Sequence, residues 1–470
     1  MAEAASPGRP TGLRDRVITG VARLLTWAFF RSVETEGRRP PGGPVILAAS
    51  HLYGFVDPVV LVARLGVLPR YLAKATLWDT AVARPLLGFA RAIPVHRRVD
   101  GASAGDNTGT FDHAVAALAG GSMVAVFPEG TTHDDPSIRP LRTGVARIAL
   151  QAAGAGVDGV RIVPVGVSYE DKVAVRGRAI VSYGTPIPVP SGADILDADG
   201  EPEHALVRDL TDRLQRDIEA LTPHFDTTEE ALALAAAATV SLSPLDGPVR
   251  RVPLTEVTAR SRRLAAVDDE GRRDLVSLVA RYRMLLGFVR LDDEDIVRRT
   301  GLTTLARRIA VLAVLVVVLA PFALAGLFAN LVPVAVVLVA GLVPTAPVSK
   351  GTIRFLAAAV LFPATWIVLA LRDDTSGWFG NASRSVTAPV NALLGTSIPD
   401  RSGALANLVV IVAVPLLGVV ALVLVERSRA LLVSVIRWRT LLDRRGQLVE
   451  VRERRAEVVA LTARLLQSAS

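Results

Sequence analysis

A histidine and an aspartate six positions apart mark the part of the sequence best suited to chemistry. His51 follows the apolar segment Pro44–Ser50, which predicts a buried strand, and Asp57 opens the next predicted helix. A carboxylate that holds an imidazole in one tautomer makes that imidazole a base for a hydroxyl group. The same residues also fit an ordinary helix start, with Asp57 as N-cap and Pro58 as the first helical residue. On these residues alone, both interpretations stay open.

Two further segments carry residues that suit the binding of a small anionic substrate. Phe127–Thr131 reads Phe-Pro-Glu-Gly-Thr after a predicted strand, and Gly130 there could simply serve a tight turn. Arg97 and Arg98 follow the segment Ala92–His96. Guanidinium groups suit a phosphate clamp, although a solvated surface pair would look the same in sequence.

Short apolar runs alternate with helical patterns between residues 44 and 190, which predicts an α/β domain. The predicted strands are Pro44–Ser50, Met123–Phe127, Val160–Ser168 and Ala179–Tyr183. The predicted helices lie near 57–66, 81–91, 107–119 and 140–154. We therefore expect a mixed sheet flanked by helices.

Taken in order, the motifs resemble those of the glycerolipid acyltransferases, which esterify glycerol 3-phosphate or lysophosphatidate. Four sequence blocks carry the resemblance over about 140 residues: Ser50–Pro58, Leu87–Arg97, Phe127–Thr131 and Ile162–Val167. The first is the histidine–aspartate motif, and the third is the Phe-Pro-Glu-Gly-Thr segment. The fourth is an apolar strand with a proline. The resemblance implies an α/β acyltransferase domain.

Two departures from the common pattern resemble one branch of that family. Five residues separate His51 from Asp57, where most members have four, and Thr132 stands where bacterial lysophosphatidate acyltransferases usually have arginine. Both features resemble the fungal-type glycerol-3-phosphate/dihydroxyacetone-phosphate acyltransferases, whose third block also runs into His-Asp, here His133-Asp134. Arg176–Ala179 resembles a basic element of the same branch.

The resemblance implies direct acyl transfer from a thioester to an alcohol, with His51 as base and Asp57 holding its other ring nitrogen. The implied phosphate ligand is Arg97, assisted by Arg98 or Arg142. No cofactor is expected, only acyl-CoA or acyl carrier protein as co-substrate.

The third block is expected to shape the glycerol pocket. The resemblance assigns Glu129, Gly130 and Thr131 to substrate binding, with Glu129 accepting a hydrogen bond from a hydroxyl. His133 could add a second polar contact, but an ordinary loop histidine is the interpretation we favour.

The amino-acid composition limits the classes of protein to which this chain can belong. The 470 residues include no Cys, which excludes disulfides and cysteine ligands, and the six histidines are too scattered for a metal site. The 53 Lys+Arg outnumber 45 Asp+Glu, for a net charge of +8, yet only three of the basic residues are lysines. Because 51% of the residues are hydrophobic and the mean hydropathy is +0.41, we expect a membrane partner and no nucleic acid.

The apolar residues concentrate in one amphipathic segment and four uncharged runs. Leu13–Phe30 predicts a helix lying in the membrane interface, with an ordinary surface helix as the alternative. Four candidate spans follow, and the second could re-enter rather than cross: Ile309–Leu327, Leu331–Val348, Phe355–Leu371 and Ala404–Val425. Flanking arginines and lysines then predict an integral membrane protein with its catalytic domain on the cytoplasmic side.

These observations divide the chain into six predicted regions. They are a disordered N-terminus (1–12), an interfacial amphipathic helix (13–36), the acyltransferase domain (37–200), a helical region (201–306), a transmembrane domain (307–426) and a basic C-terminal helix (427–470). The last region could bind anionic lipid headgroups, pair with another helix, or remain a solvated charged helix.

The predicted function is acylation of a phosphorylated glycerol acceptor in phospholipid biosynthesis at a membrane. The acceptor stays open between glycerol 3-phosphate and 1-acylglycerol 3-phosphate, with dihydroxyacetone phosphate or another lysophospholipid as alternatives. A membrane scaffold that keeps the fold without turnover is the competing class, and the presence of both His51 and Asp57 argues against it. A transporter is disfavoured, because the four runs contain almost no ionisable residue.

Overall fold

A computed structural model describes the protein over most of its length. The described residues are 12–79, 83–96, 108–172, 174, 176–192, 195–197, 200–245, 251–297, 302–342, 346–372, 403–443 and 446–468. The chain divides into two compact units, the first comprising Met1–Tyr282, Ala346–Thr352 and Arg454–Ser470. The second comprises Arg283–Thr345 and Ile353–Glu453. The predicted disordered residues 1–11 lie outside the described part, and so does the 373–402 loop.

The first unit is built on one mixed sheet in the order β1-β7-β6-β2-β5-β3-β4, with β8 paired to β6. Its strands are β1 (Phe30–Glu36), β2 (Val45–Ala49), β3 (Arg70–Lys74), β4 (Ile93–Val95), β5 (Val124–Val126), β6 (Arg161–Tyr169), β7 (Gly177–Tyr183) and β8 (Ile187–Pro188). The ladders that β6 forms with β7 and β8 are antiparallel, and the other pairings are parallel. The predicted mixed sheet flanked by helices is confirmed.

The sequence of the central strand explains its place. All five residues of β2 are buried, and its neighbours β5 and β6 are buried along almost their whole length. A strand that is apolar on both faces must be covered on both sides, which parallel sheets achieve through crossover helices. The crossover helices here are α2 (Val56–Leu65), α3 (Ala83–Phe89), α4 (Thr108–Ala119) and α5 (Gly144–Gly154), and α1 (Leu13–Phe29) precedes the first strand.

The N-terminal boundary differs from the prediction. The expected interfacial helix over 13–36 ends at Phe29, and the chain continues directly as β1, which pairs in parallel with β7. The expected domain start at residue 37 therefore leaves out a strand of the sheet. The charged residues of Phe30–Glu36 hide the alternation of apolar and polar side chains that would predict a strand. Pairing with β7 stabilises this segment as an edge strand.

Helix α1 presents its apolar residues outward. The small and hydroxylated side chains of Thr19, Ala22 and Thr26 are buried, and Ala22 packs with residues of α2. The exposed residues are the large ones: Leu13, Val17, Val21, Leu24 and Trp27. This orientation suits the predicted interfacial helix, whose membrane contact stays a prediction.

The region after the sheet is helical, as predicted for 201–306. Its helices are α6 (His204–Leu221), α7 (Thr228–Ser241), α8 (Leu254–Ala265), α9 (Asp269–Val289) and α10 (Asp293–Val297).

Among the described residues, the second unit has three helices long and apolar enough to cross a membrane, and these supply three of the four predicted spans. Its helices are α11 (Leu302–Ala329), α12 (Leu331–Ala340), α13 (Pro347–Arg372) and α14 (Gly403–Asp443). The second expected span differs, because α12 has ten residues. At 1.5 Å per residue such a helix reaches about 15 Å, half of a hydrocarbon core.

The basic C-terminal region is two helices rather than the single one expected. α14 runs through residue 426 to Asp443, and α15 spans Gln447–Ser468. Within the first unit, Arg455 on α15 is 2% exposed and donates to the carbonyl oxygens of Val240 and Ser243 at 3.1 and 2.5 Å. Of the three predicted alternatives, pairing with other helices is the one observed for this segment.

Candidate active site

His51 lies in the loop that follows β2, at the carboxyl end of the central strand. Its Nδ1 is 2.9 Å from Asp57 Oδ2, and its side chain is 19% exposed while that of Asp57 is completely buried. The ring stacks on Phe127 with centroids 4.1 Å apart. The predicted histidine–aspartate pair is therefore assembled, with one edge of the imidazole reachable from outside.

The aspartate is not the helix cap that the alternative interpretation required. Helix α2 begins at Val56 after Phe55, and Asp57 is its second residue. The Asp57 carboxylate turns back to accept the Tyr53 backbone N–H at 2.8 Å. Gly54, with φ +56°, allows the tight loop between them.

A tyrosine that sequence reasoning missed completes the surroundings of Asp57. The Tyr169 hydroxyl donates to Asp57 Oδ1 at 2.6 Å, and its ring lies edge-on to Tyr53 with centroids 4.8 Å apart. Burial raises the pKa of Tyr169 well above its usual value, and the nearby Asp57 charge raises it further, so the phenol keeps the proton it donates. The sequence offered one sign of this role, which is the position of Tyr169 at the end of a strand. That strand is β6, which pairs in parallel with β2.

The three donors to Asp57 determine the orientation of the base. Because Asp57 accepts from His51 Nδ1, the imidazole carries its proton there and has a lone pair on Nε2. That arrangement suits proton abstraction from a hydroxyl group.

Glu129 faces the protein rather than a substrate. Its Oε1 accepts the His51 backbone N–H at 2.8 Å, and its Oε2 accepts the Arg139 N–H at 3.1 Å and faces His133 Nε2 at 2.5 Å. The residue is 4% exposed. This differs from the expectation that Glu129 binds an acceptor hydroxyl, because a carboxylate with these partners is enclosed by the loop that follows it.

Gly130, Thr131 and Arg142 lie together beside this loop. Gly130 has φ +72°, and a Cβ built on it would lie 2.6 Å from Arg142 Nε, so a larger residue would displace the guanidinium. The backbone N–H of Arg142 donates to the Pro128 carbonyl oxygen at 2.9 Å. Arg142 and Thr131 are exposed and thus accessible to a ligand. The other two predicted ligands, Arg97 and Arg98, lie outside the described residues.

The first turn of α13 also belongs to the first unit and packs on the histidine–aspartate loop. A Cβ on Gly351 would overlap the Tyr53 ring, and a Cβ on Gly54 would meet Thr352 Oγ1 at 2.5 Å. Only glycine fits at either position with this spacing. Residues about 300 positions apart therefore meet at the loop between His51 and Asp57.

Fold and site together define an α/β domain with a histidine that a buried carboxylate orients at the carboxyl edge of its sheet. Residues 31–168 match the family model described as Acyltransferase. This domain is therefore similar to the acyltransferase family, and the resemblance inferred from the four blocks is confirmed.

Relatives of known name share this domain. Glycerol-3-phosphate O-acyltransferase 2 of Saccharomyces cerevisiae is 33% identical over 202 residues, 41% of this chain and 26% of its own. Glycerol-3-phosphate O-acyltransferase 1 of the same yeast is 33% identical over 113 residues, 24% of this chain and 14% of its own. Lyso-ornithine lipid O-acyltransferase of Brucella abortus is 30% identical over 179 residues, 37% of this chain and 62% of its own. The chain thus spans at most about a quarter of either yeast relative.

Among solved structures, the 1-acyl-sn-glycerophosphate acyltransferase PlsC from Thermotoga maritima matches with a TM-score of 0.32. The two chains are 18% identical, and the match covers 44% of this chain and 78% of that one.

Proposed function

We propose that the protein is a membrane-bound O-acyltransferase that moves a fatty acyl group from an acyl thioester to a hydroxyl of a phosphorylated glycerol acceptor. The observation that carries this proposal is the 2.9 Å contact of His51 Nδ1 with the buried Asp57 carboxylate. The acceptors are glycerol 3-phosphate or 1-acylglycerol 3-phosphate, and the donor is acyl-CoA or acyl carrier protein. No cofactor is needed for this chemistry.

The reaction requires one base and one leaving thiolate. His51 Nε2 takes the proton of the acceptor hydroxyl, and Asp57 stabilises the imidazolium that forms. The alkoxide attacks the thioester carbonyl carbon, and the tetrahedral intermediate collapses with cleavage of the C–S bond. The departing thiolate takes the proton from His51 Nε2, which leaves the ester, the free thiol and the starting base.

Arginine side chains supply the phosphate contact in this proposal. The exposed Arg142 lies beside Gly130, the residue after Glu129, whose carboxylate accepts the His51 backbone N–H. A guanidinium fork matches two phosphate oxygens, and Arg97 and Arg98 are the further ligands that the motif suggests.

Placement at a membrane follows from the substrates and from the helices. An acyl chain and its ester product are insoluble, so a site at the membrane surface avoids carrying them through water. Three long apolar helices support integral membrane placement. The basic residues that flank them favour the cytoplasmic side for the catalytic domain.

A second acceptor class follows from one relative. The Brucella protein is named for a lyso-ornithine lipid, an acceptor without the glycerol phosphate. Acylation of a lysolipid of that kind would not need Arg142, whereas acylation of a phosphorylated glycerol would.

The test uses membranes carrying the full chain, labelled acyl-CoA, and three acceptors in parallel: glycerol 3-phosphate, 1-acylglycerol 3-phosphate and a lyso-ornithine lipid. His51→Ala and Arg142→Ala run beside the wild type at matched expression. We expect one phosphorylated acceptor to be acylated, no product from His51→Ala, and a raised acceptor KM in Arg142→Ala. Absence of His51-dependent product with either acyl-CoA or acyl carrier protein would contradict the proposal.

A further inference from the structure

The loop after the third sequence block wraps around the Glu129 carboxylate. Residues 130–139 leave Glu129 and return to it, since the Arg139 backbone N–H donates to Oε2 at 3.1 Å. The same carboxylate accepts the His51 backbone N–H through Oε1. Glu129 is therefore a junction between this loop and the residue proposed as base.

His133 is the buried side chain that completes the junction. It is 5% exposed, and its Nε2 lies 2.5 Å from Glu129 Oε2. Its Nδ1 accepts the Asp135 backbone N–H at 3.2 Å, so the ring proton is on Nε2 and is donated to Glu129. An ordinary loop histidine would be solvated, whereas this one is enclosed with both nitrogens in use.

Hydrogen bonds also lead from His133 to the other end of the site. The His133 carbonyl oxygen accepts from Lys172 Nζ at 3.4 Å, and the Lys172 carbonyl oxygen accepts from the Tyr53 hydroxyl. The Tyr53 backbone N–H donates to Asp57 Oδ2, which also contacts His51 Nδ1. These bonds form a closed ring that begins at the His51 backbone and ends at its side chain.

We propose that His133 is a positioning residue that acts through Glu129 on the backbone of His51. This inference rests on the proposed function, because it assigns His51 as the base whose position matters. Without the His133 donor, Glu129 Oε2 keeps only the Arg139 N–H, so the buried carboxylate shifts toward that donor and its Oε1 moves away from the His51 N–H. A displacement of about 1 Å at a reacting group can cost 10²-fold in rate.

Two substitutions at the same position separate positioning from simple packing. In His133→Gln, the side-chain amide reaches the place of Nε2 and still donates to Glu129, whereas in His133→Asn the amide stops near the place of Nδ1. His113→Asn, at an exposed histidine on α4, is the matched control. The readouts are kcat and acceptor KM of the full chain, normalised to folded protein by thermal melting.

We expect His133→Asn to lower kcat by about 10- to 100-fold with an acceptor KM within about twofold of the wild type. His133→Gln and His113→Asn should stay within about threefold of the wild type in both constants. Equal activity of the Asn and Gln variants, whether both are high or both are low, would overturn the proposal.

Hydrogen–deuterium exchange gives a readout that does not depend on turnover. In His133→Asn, the peptide containing residues 48–55 should exchange faster at the His51 amide, and in His133→Gln it should match the wild type. Unchanged exchange in His133→Asn would overturn the inference even in an active enzyme. A wild type inactive with every acceptor would instead overturn the proposed function, while the exchange data still decide the role of His133.

Discussion

Buried polar groups are used differently in the two units of the molecule. In the first unit, the buried carboxylates of Asp57 and Glu129 each have three hydrogen-bond partners. Both contact His51, Asp57 at the imidazole ring and Glu129 at the backbone N–H. In the second, Asn330 is 3% exposed, donates to the Gly326 carbonyl oxygen at 2.8 Å and accepts from Trp366 Nε1 at 2.8 Å.

The difference lies in what the buried groups hold. The carboxylates hold the partly exposed His51, so under the proposed function their partners matter for chemistry as well as for stability. Asn330 joins α11, α12 and α13, and its two side-chain hydrogen bonds go to a backbone carbonyl and an indole N–H, partners that suit helix packing. A Cβ on Gly326 would overlap the Leu417 carbonyl group, which shows that α11 and α14 approach closely near this site. The comparison predicts that polar substitutions reduce activity in the first unit and only stability in the second.

The largest expected effect is at Asp57. In Asp57→Asn, an amide replaces a carboxylate that accepts three hydrogen bonds, and the imidazolium loses its counter-charge. We expect kcat to fall by about 10³-fold. Single-turnover acyl transfer measures this, with His113→Asn as the control. If Asp57→Asn kept more than a tenth of the wild-type rate of acyl transfer, the His51–Asp57 pair would not be acting as the base.

A smaller effect is expected at Tyr169, for which Tyr183 is a matched control. Tyr169→Phe removes one donor to Asp57, and we expect about a tenfold loss of kcat. Tyr183 is also buried on the sheet, but its hydroxyl has no hydrogen-bond partner in the described structure. Tyr183→Phe should therefore keep full activity and raise the free energy of unfolding by about 1 kcal/mol. Equal kcat values in the two variants would contradict the role assigned to Tyr169.

The second unit should respond in stability alone. Asn330→Leu removes both hydrogen bonds, and we expect a loss of about 1 kcal/mol in the free energy of unfolding, the usual scale for polar contacts between membrane helices. Thermal melting in detergent detects it, and Trp366→Phe should add little in the double variant because both act on one bond. A tenfold or greater loss of kcat in correctly folded Asn330→Leu would break the comparison.

The smallest effect appears only at high pH. Burial raises the pKa of Tyr183 to about 12, from its ordinary value of 10. The unfolded chain therefore releases this proton above pH 10 while the folded chain keeps it, so folding stability falls as pH rises. The melting temperature of the wild type should drop more steeply between pH 9 and pH 11 than that of Tyr183→Phe. Parallel curves would show that Tyr183 ionises normally in the folded protein.

Several elements were predictable because their signals are local. The continuous apolar run of β2 and the helix after Asp57 were found near their observed bounds, and so was α5. β1 was missed because Phe30–Glu36 carries charged residues and follows a helix without a break. Its extended form depends on pairing with β7, about 150 residues later in the chain.

The residues of the candidate site also divide into those that local sequence predicts and those that depend on distant parts of the chain. His51, Asp57 and Glu129 stand in motifs whose spacing is readable, but the hydrogen-bond partners of Glu129 could not be inferred from that spacing. Tyr169 lies 112 positions from Asp57, and only the parallel register of β6 beside β2 places its hydroxyl there.

The sequence by itself determined the resemblance to acyltransferases, the α/β class, the histidine–aspartate motif and the apolar helices, because each depends on composition or on residues close together in the chain. Tertiary structure alone decided that Glu129 serves the protein and that His133 is enclosed. It also placed Tyr169 beside Asp57 and the first turn of α13 against Tyr53 and Gly54. These features depend on which chain segments meet at the end of β2, since a hydrogen bond requires its two atoms to lie about 3 Å apart, whatever their separation in sequence.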